Sequence, residues 1–203
     1  MRNLAIVAAS VLLLAGCGSS TDSDVAADPT EPASSASSPT QSPSTEPSDS
    51  PTVKPATGAQ LDAVAFSLTV PKGWADINEG DDKAVVLYAA DLRENGDTPD
   101  MVTVRRGAAT GSVAAATARG AALLKAGGAT KVKAMAPVEV CGTEVAHVRA
   151  IKTAPGVHTM LNQYSLTAQG HTWLITFSTN QWQVEADRAR LLDSVLSTCT
   201  LAS

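Results

Sequence analysis

The sequence predicts an α+β domain: a three-layer α/β/α sandwich with a central, mainly antiparallel sheet and two covering helices, preceded by a disordered tether. Three observations predict it. The composition changes abruptly near residue 58, several strand-like segments carry apolar groups on both faces, and the links between them are short. A sheet facing water on one side would alternate cleanly, so apolar residues on both faces call for a covering layer on each. Links of two residues permit antiparallel neighbours, because parallel pairs need a long crossover.

The chain starts with Arg2, an apolar run from Leu4 to Leu14, and the order Leu14-Ala15-Gly16-Cys17. A positive charge, an apolar run too short to span a bilayer and small residues at the end make a secretory signal over residues 1–16. The Leu-Ala-Gly-Cys order resembles the bacterial lipobox, and that resemblance implies cleavage before Cys17 and lipidation of its thiol. Attachment through more than one acyl chain, at ~0.8 kcal/mol per buried CH₂, suffices for stable anchoring. The expected address is the extracytoplasmic face of the cell membrane, held by a lipid anchor at Cys17.

Residues 17–58 are rich in Ser, Thr and Pro, and all seven aromatic residues of the chain come later, from Phe66 onward. Such a stretch buries too little apolar surface to offset the entropy of ordering, so disorder is expected. Its acids are Asp22, Asp24, Asp28, Glu31, Glu46 and Asp49, against Lys54 alone, in a chain of formal charge −5. The acidity therefore belongs to the tether, and the domain over 59–203 is nearly neutral. A basic nucleic-acid footprint is absent from that balance, so no nucleic-acid partner is expected.

Within the domain, "VAFSLTV" alternates, with Val64, Phe66, Leu68 and Val70 on one side, and it ends at Pro71. "KAVVLYAA" and "MVTVRR" read as two more strands around the polar loop "DLRENGDTPD". "TGSVAAATARGAALLKAGG" is a helix: Thr110 or Ser112 caps it, alanine favours it, and Gly127-Gly128 stop it. Its apolar side, Val113, Ala116, Leu123 and Leu124, is mostly small, so it should pack closely. "TKVKAM" is a strand, followed by a hairpin about Cys141-Gly142. Pro155-Gly156 leads into "VHTMLNQYSLTA", and Gln169-Gly170 into "HTWLITFST". A closing helix is expected from about Gln181 to Ser197, with Asn180 and Gln183 as a capping box. Trp182, Ala186, Ala189, Leu192, Val195 and Leu196 mark its apolar face.

"FSLTVPKGW", the Val/Ala-rich meander, "TWLITFST" and the closing amphipathic helix together resemble the PsbP-like α/β/α sandwich. Within it they resemble the actinobacterial LpqN/LpqT-type lipoproteins, which share a lipobox and a Ser/Thr/Pro tether. The resemblance spans about residues 60–200 and implies a non-catalytic binding or accessory role. It carries over no individual binding residue.

After signal processing, Cys141 and Cys199 remain as an even pair outside the reducing cytosol, and a disulfide between them is expected. Catalytic signatures are weak throughout. His147, His158 and His171 lack the close spacing of a zinc site. There is no Gly-x-Ser-x-Gly elbow, and Gly107 to Gly111 lacks the Gly-Lys ending of a P-loop. Asp76, Asn78, Glu79, Asp81 and Asp82, and Asp91, Glu94, Asp97 and Asp100, offer oxygen ligands but match no twelve-residue calcium loop, and read as solvated turns. Trp74 and Trp182 read as core residues at element starts. No enzyme activity, metal or cofactor is expected. The function expected is a binding or accessory module for an envelope protein or glycan. The alternative is a carrier of a lipid or other apolar small molecule, lodged in a small-residue interior.

Overall fold

A computed structural model of the chain describes residues 53–77, 85–93 and 99–202. The expected signal, Cys17 and most of the expected tether lie outside them, as do residues 78–84 and 94–98 of the two acidic loops.

In chain order the elements are β1 (Gln60–Asp62), β2 (Phe66–Thr69), β3 (Trp74–Asp76), β4 (Val85–Asp91), β5 (Met101–Ala108), α1 (Val113–Ala126), β6 (Thr130–Ala134), β7 (Val138–Val140), β8 (Thr143–Ala154), β9 (Val157–Ala168), β10 (His171–Asn180), α2 (Glu185–Leu196) and β11 (Thr200–Leu201). The main sheet runs β3-β4-β5-β10-β9-β8-β6, with β7 also on β8, and its pairings are antiparallel. The long strands β8, β9 and β10 form its centre through two-residue turns. Cys141-Gly142 (φ 52° and 69°) and Gln169-Gly170 (φ 50° and 72°) both place two successive residues in the left-handed region. That is the hairpin turn whose twist matches the strands it joins.

One expectation changes here. The "VAFSLTV" strand is not part of the central sheet. It begins at Phe66, pairs with β1 and β11 in a separate three-stranded sheet, and leaves Val64 exposed. A reversal closed by the bond from Ala63 N to Phe66 O turns Val64 out before the alternation begins. Phe66, Leu68 and Val70 remain buried, as their alternation requires.

The side-chain period of two along β9 places the helices. Tyr164 and Leu166 share a core cluster with Leu192, Val195 and Leu196 of α2 and with Phe66, Leu68 and Val70. Gln163 and Ser165 point to the other face and meet α1 at Gly120. The layers are therefore α1, then the main sheet, then α2 together with the small sheet. Ala116, Gly120 and Leu124 form the buried stripe of α1, and a Cβ added at Gly120 would stand 2.9 Å from Gln163 Oε1. This is the close approach expected of a small-residue helix, although Leu123 turns out to be exposed. Ser112 caps α1 through a bond from Ala115 N to its Oγ (3.1 Å).

The α2 side is filled by Trp173, Phe66, Phe177, Leu166 and Ile175, each nearly inaccessible to solvent. Phe66 meets Trp173 edge-on at 5.8 Å, and Tyr164 meets Phe177 similarly at 6.1 Å. The few aromatic residues concentrate here, so this interior is packed with large side chains.

Candidate functional site

Two regions of the domain gather polar side chains, one beneath α2 and one beside α1. The first is built on Arg188, which is 2% exposed. Its Nε donates to Thr179 Oγ1 (3.0 Å), Nη1 to Glu185 Oε2 (2.5 Å), and Nη2 to the carbonyls of Asn180, Gln181 and Gln183 (3.2, 3.3 and 2.9 Å). One guanidinium thus fastens the whole link between β10 and α2. This explains why the helix starts at Glu185 rather than near Gln181. Asn180 does not cap α2. Its Oδ1 instead accepts from Trp182 N (2.9 Å), bending the chain outward, so Trp182 is 71% exposed and not part of the core. It lies near His158, with ring centroids 5.9 Å apart.

Glu185 also pairs with Arg149 (2.7 Å), whose Nε donates to the fully buried Asn162 Oδ1 (3.2 Å). A guanidinium has only donors, so the Asn162 atom facing it is the oxygen. His147 Nε2, 3.2 Å from that same oxygen, must then carry the ring proton. The imidazole stacks on Tyr164 at 4.5 Å. Burial holds the His147 pKa below its ordinary 6.5, partly opposed by the Asn162 bond, while Arg149 adds repulsion. Burial also raises the Tyr164 hydroxyl and the Asp193 carboxyl. These groups line a shallow cleft of about 360 Å³ against α2.

A pH dependence follows from this geometry. Just beneath pH 6.5 the unfolded chain binds a proton at His147 that the folded protein resists. Stability is therefore full above that value and falls with acidification through the window below it. Asp193 acts with the opposite sign but nearer the carboxylate range, because its folded form holds its proton more tightly. His147→Gln keeps a donor for Asn162, and urea unfolding as a function of pH should show a flatter slope in that window. A variant slope identical to the wild type would reject this assignment.

The second region lies on the α1 face of the main sheet. Helix α1 packs against β6, β8 and β9. Beside it, Thr103, Arg105 and Gly107 of β5 and Leu174, Thr176 and Ser178 of β10 share that face by register. With Leu161 and Gln163 of β9, Lys152 of β8 and Arg119, Leu123 and Leu124 of α1, they line an open groove of about 540 Å³. Arg106 also borders it, although its place level with Trp173 puts its side chain on the opposite face of the sheet. Arg105, Arg119 and Lys152 are its basic residues on this face, and among the described lining residues there is no Asp or Glu. Arg119 is steadied by donating to Ala108 O (2.9 Å), and Gln163 Nε2 donates to Thr176 Oγ1 (3.3 Å). The α1 layer expected over the sheet is thus a partial one, because a single small-residue helix is narrower than the strands beneath it.

Cys141 and Cys199 form a disulfide, with Cα atoms 4.9 Å apart. The three histidines stay separate in function: His147 sits in the buried network, His158 near Trp182, and His171 against Trp173. Trp74 is buried at the start of β3. Of the acidic-loop residues, Asp91 is held below the carboxylate range by hydrogen bonds from Arg93. Asp100 accepts from Asn180 N (3.3 Å) and Gln183 Nε2 (3.2 Å), so it supports the same link as Arg188. Asn78, Glu79, Asp81, Asp82, Glu94 and Asp97 lie outside the described residues. Among the described residues, no three His, Cys, Asp or Glu side chains come together as a metal site requires.

The sequence matches no family model and no curated protein. Among solved structures, cyanobacterial PsbP (CyanoP) from Synechocystis sp. PCC 6803 is similar with a TM-score of 0.54 at 14% identity, over 71% of this chain and 92% of that one. The domain has the PsbP-like fold. LpqN of Mycobacterium tuberculosis, described as involved in cell envelope biogenesis, is also similar, with a TM-score of 0.47 at 11% identity over 68% of this chain and 83% of that one. A protein from Bacteroides thetaiotaomicron VPI-5482 gives a TM-score of 0.45 at 14% identity, over 68% of this chain. This chain spans 45% of that protein's length. At these identities the likeness is one of fold.

Proposed function

We propose that this chain is a lipid-anchored envelope protein whose PsbP-like domain is a non-catalytic binding or accessory module for an envelope protein or glycan. The observation that carries the reading is the groove beside α1. A sheet face half covered by its helix, lined by the hydroxyls of Thr103, Thr176 and Ser178 and by the basic residues Arg119 and Lys152, is a surface suited to a partner. The buried network beneath α2 is committed to holding the fold, since its bonds run between its own members and the backbone. The Leu14-Ala15-Gly16-Cys17 order supports the anchor. Among the described residues, no helix is long and apolar enough to cross a membrane.

Two measurements address the two halves of the proposal. Cys17→Ala, expressed in a host that processes lipoproteins, should move the protein from the membrane fraction to the soluble one. Unchanged membrane retention would reject the anchor. A photo-crosslinking residue at Ser178, in the groove, should repeatedly capture a partner from native membranes that the same residue at Lys72 does not. Identical capture at both positions, or none at either, would reject the binding reading.

A further inference from the structure

We infer that the link between β10 and α2 is a membrane foot: Trp182 and Val184 enter the interface of the bilayer to which the chain is anchored. This rests on the anchor reading above and adds a second contact, made by the folded domain itself.

Exposure and fixation come together in this link. Trp182 is 71% exposed and Val184 63%, although an indole offers more apolar surface to bury than almost any other side chain. The backbone that carries them is nevertheless held. Arg188 Nη2 donates to the carbonyls of Asn180, Gln181 and Gln183. Gln181 N donates to His158 O (3.0 Å) and Trp182 N to Asn180 Oδ1 (2.9 Å). A buried arginine thus fixes the chain on both sides of a ring that points into water.

The path of the chain into the domain places this link on the membrane side. Ala56 N donates to Ser194 O (2.9 Å), in the last turn of α2. Before it, Val53 and Lys54 border a groove whose other walls reach back along α2 through Arg190 and Ala189 to Ala186. With Ala56 fixed at the helix end, the chain meets those walls by running towards the helix start, where Val184 and Trp182 stand. From Cys17 to Val53 a Ser/Thr/Pro-rich chain spans roughly 30–35 Å on average. Such a tether keeps the domain at an effective concentration on the order of millimolar against its own membrane, so a contact of two side chains is enough.

Shape and charge favour lipid over other occupants. Trp182 and Val184 wall none of the grooves beside α1 or α2; they protrude. A protein hot spot sits within a packed, water-excluding surround, whereas a fluid layer moulds itself around a protrusion. Indole, with an apolar body and one N–H, is enriched at the headgroup level of membranes. The acids nearby are already engaged: Glu185 by Arg149 and Arg188, Asp187 by Arg190, and Asp100 by Asn180 N and Gln183 Nε2. Lys54 borders the α2 groove, and Lys152 is level with Thr159 and hence with Asn180, so two lysines flank the link and suit anionic headgroups.

The test couples the mature chain through the Cys17 thiol to a maleimide lipid in phosphatidylglycerol/phosphatidylethanolamine vesicles, Cys141 and Cys199 being tied in their disulfide. Coupling supplies the anchor chemically, so the outcome is independent of lipidation in the cell, which fractionation of Cys17→Ala reads separately. Brominated acyl chains in the vesicles quench tryptophan on contact. Trp74 and Trp173 are buried, so the quenching reads Trp182, and Trp182→Phe should abolish it. Val184→Asp should reduce it several-fold, because a carboxylate resists entry into an apolar layer. Val64→Asp, at an equally exposed site before β2, should leave it unchanged. Thermal unfolding of each variant confirms folding. Absence of quenching in the coupled wild type would overturn the proposal, as would quenching that survives Trp182→Phe or equal losses from Val184→Asp and Val64→Asp. A ring untouched by lipid whose emission shifts on adding soluble peptidoglycan fragments would also overturn it, and would assign Trp182 to a glycan instead.

Discussion

Arg188→Ala is expected to lower the unfolding free energy by about 3 kcal/mol, because a buried guanidinium with several hydrogen bonds, each worth about 1 kcal/mol, is lost. The side chain is 3% exposed and serves Thr179, Glu185 and three backbone carbonyls. Removing it takes the donor from those carbonyls in a half-buried link and frees the entry to α2. At roughly 2–4 °C per kcal/mol for a domain of this size, the melting temperature should fall by roughly 6–12 °C. Arg188→Lys should recover only part of the loss, because an ammonium group cannot reproduce the planar fork that reaches all these acceptors at once. A change within the range of ordinary surface substitutions, about ±0.5 kcal/mol, would show that the link holds without its guanidinium.

Loss of the Cys141–Cys199 disulfide is expected to cost about 4 kcal/mol on the chain-entropy account, given a sequence separation of 58 residues. The bond joins the β7–β8 turn to the segment between α2 and β11. That segment also sends Thr198 Oγ1 to accept from Thr69 N (2.8 Å). The small sheet, the last helix and the main sheet are therefore fastened at one point. Urea unfolding of the Cys141→Ser, Cys199→Ser double variant, and of the wild type under reductant, should show the same loss. The unfolded, unreduced protein should present no free thiol from this pair. A double variant as stable as the wild type would reject the contribution assigned to the crosslink.

Much of this protein is written in local chemistry. The two-residue links at Cys141-Gly142, Pro155-Gly156 and Gln169-Gly170 can only reverse the chain, so the β7-β8-β9-β10 order was readable from spacing. Alanine and the Ser112 cap identify α1, and its small stripe foretold the close contact at Gly120. The address, too, is local: a charged start, a short apolar run, small residues and Cys17 lie within one short stretch.

What was not legible depends on residues distant in sequence. Periodicity marks where apolar groups recur but cannot show a buried arginine, so it is silent on Arg188 and sets Trp182 on the apolar face. The competition was decided by the carbonyls of residues 180, 181 and 183, which need a donor that only the packed link supplies. Likewise "VAFSLTV" announces a strand but not its sheet, because partner choice belongs to β1 and β11, the latter 133 residues away at Ser67–Thr200. The groove is the fullest case. Arg105, Arg119 and Lys152 are unremarkable in sequence, and become one surface only when register across β5, β10, β9 and β8 aligns them beside α1. Sequence by itself determined the strands and the turns, and it carries the expectation of a signal, a lipid anchor and a tether, since each rests on residues within a few positions of one another. Tertiary structure alone decided which polar groups are buried and which cations share a surface, since both depend on long-range pairing.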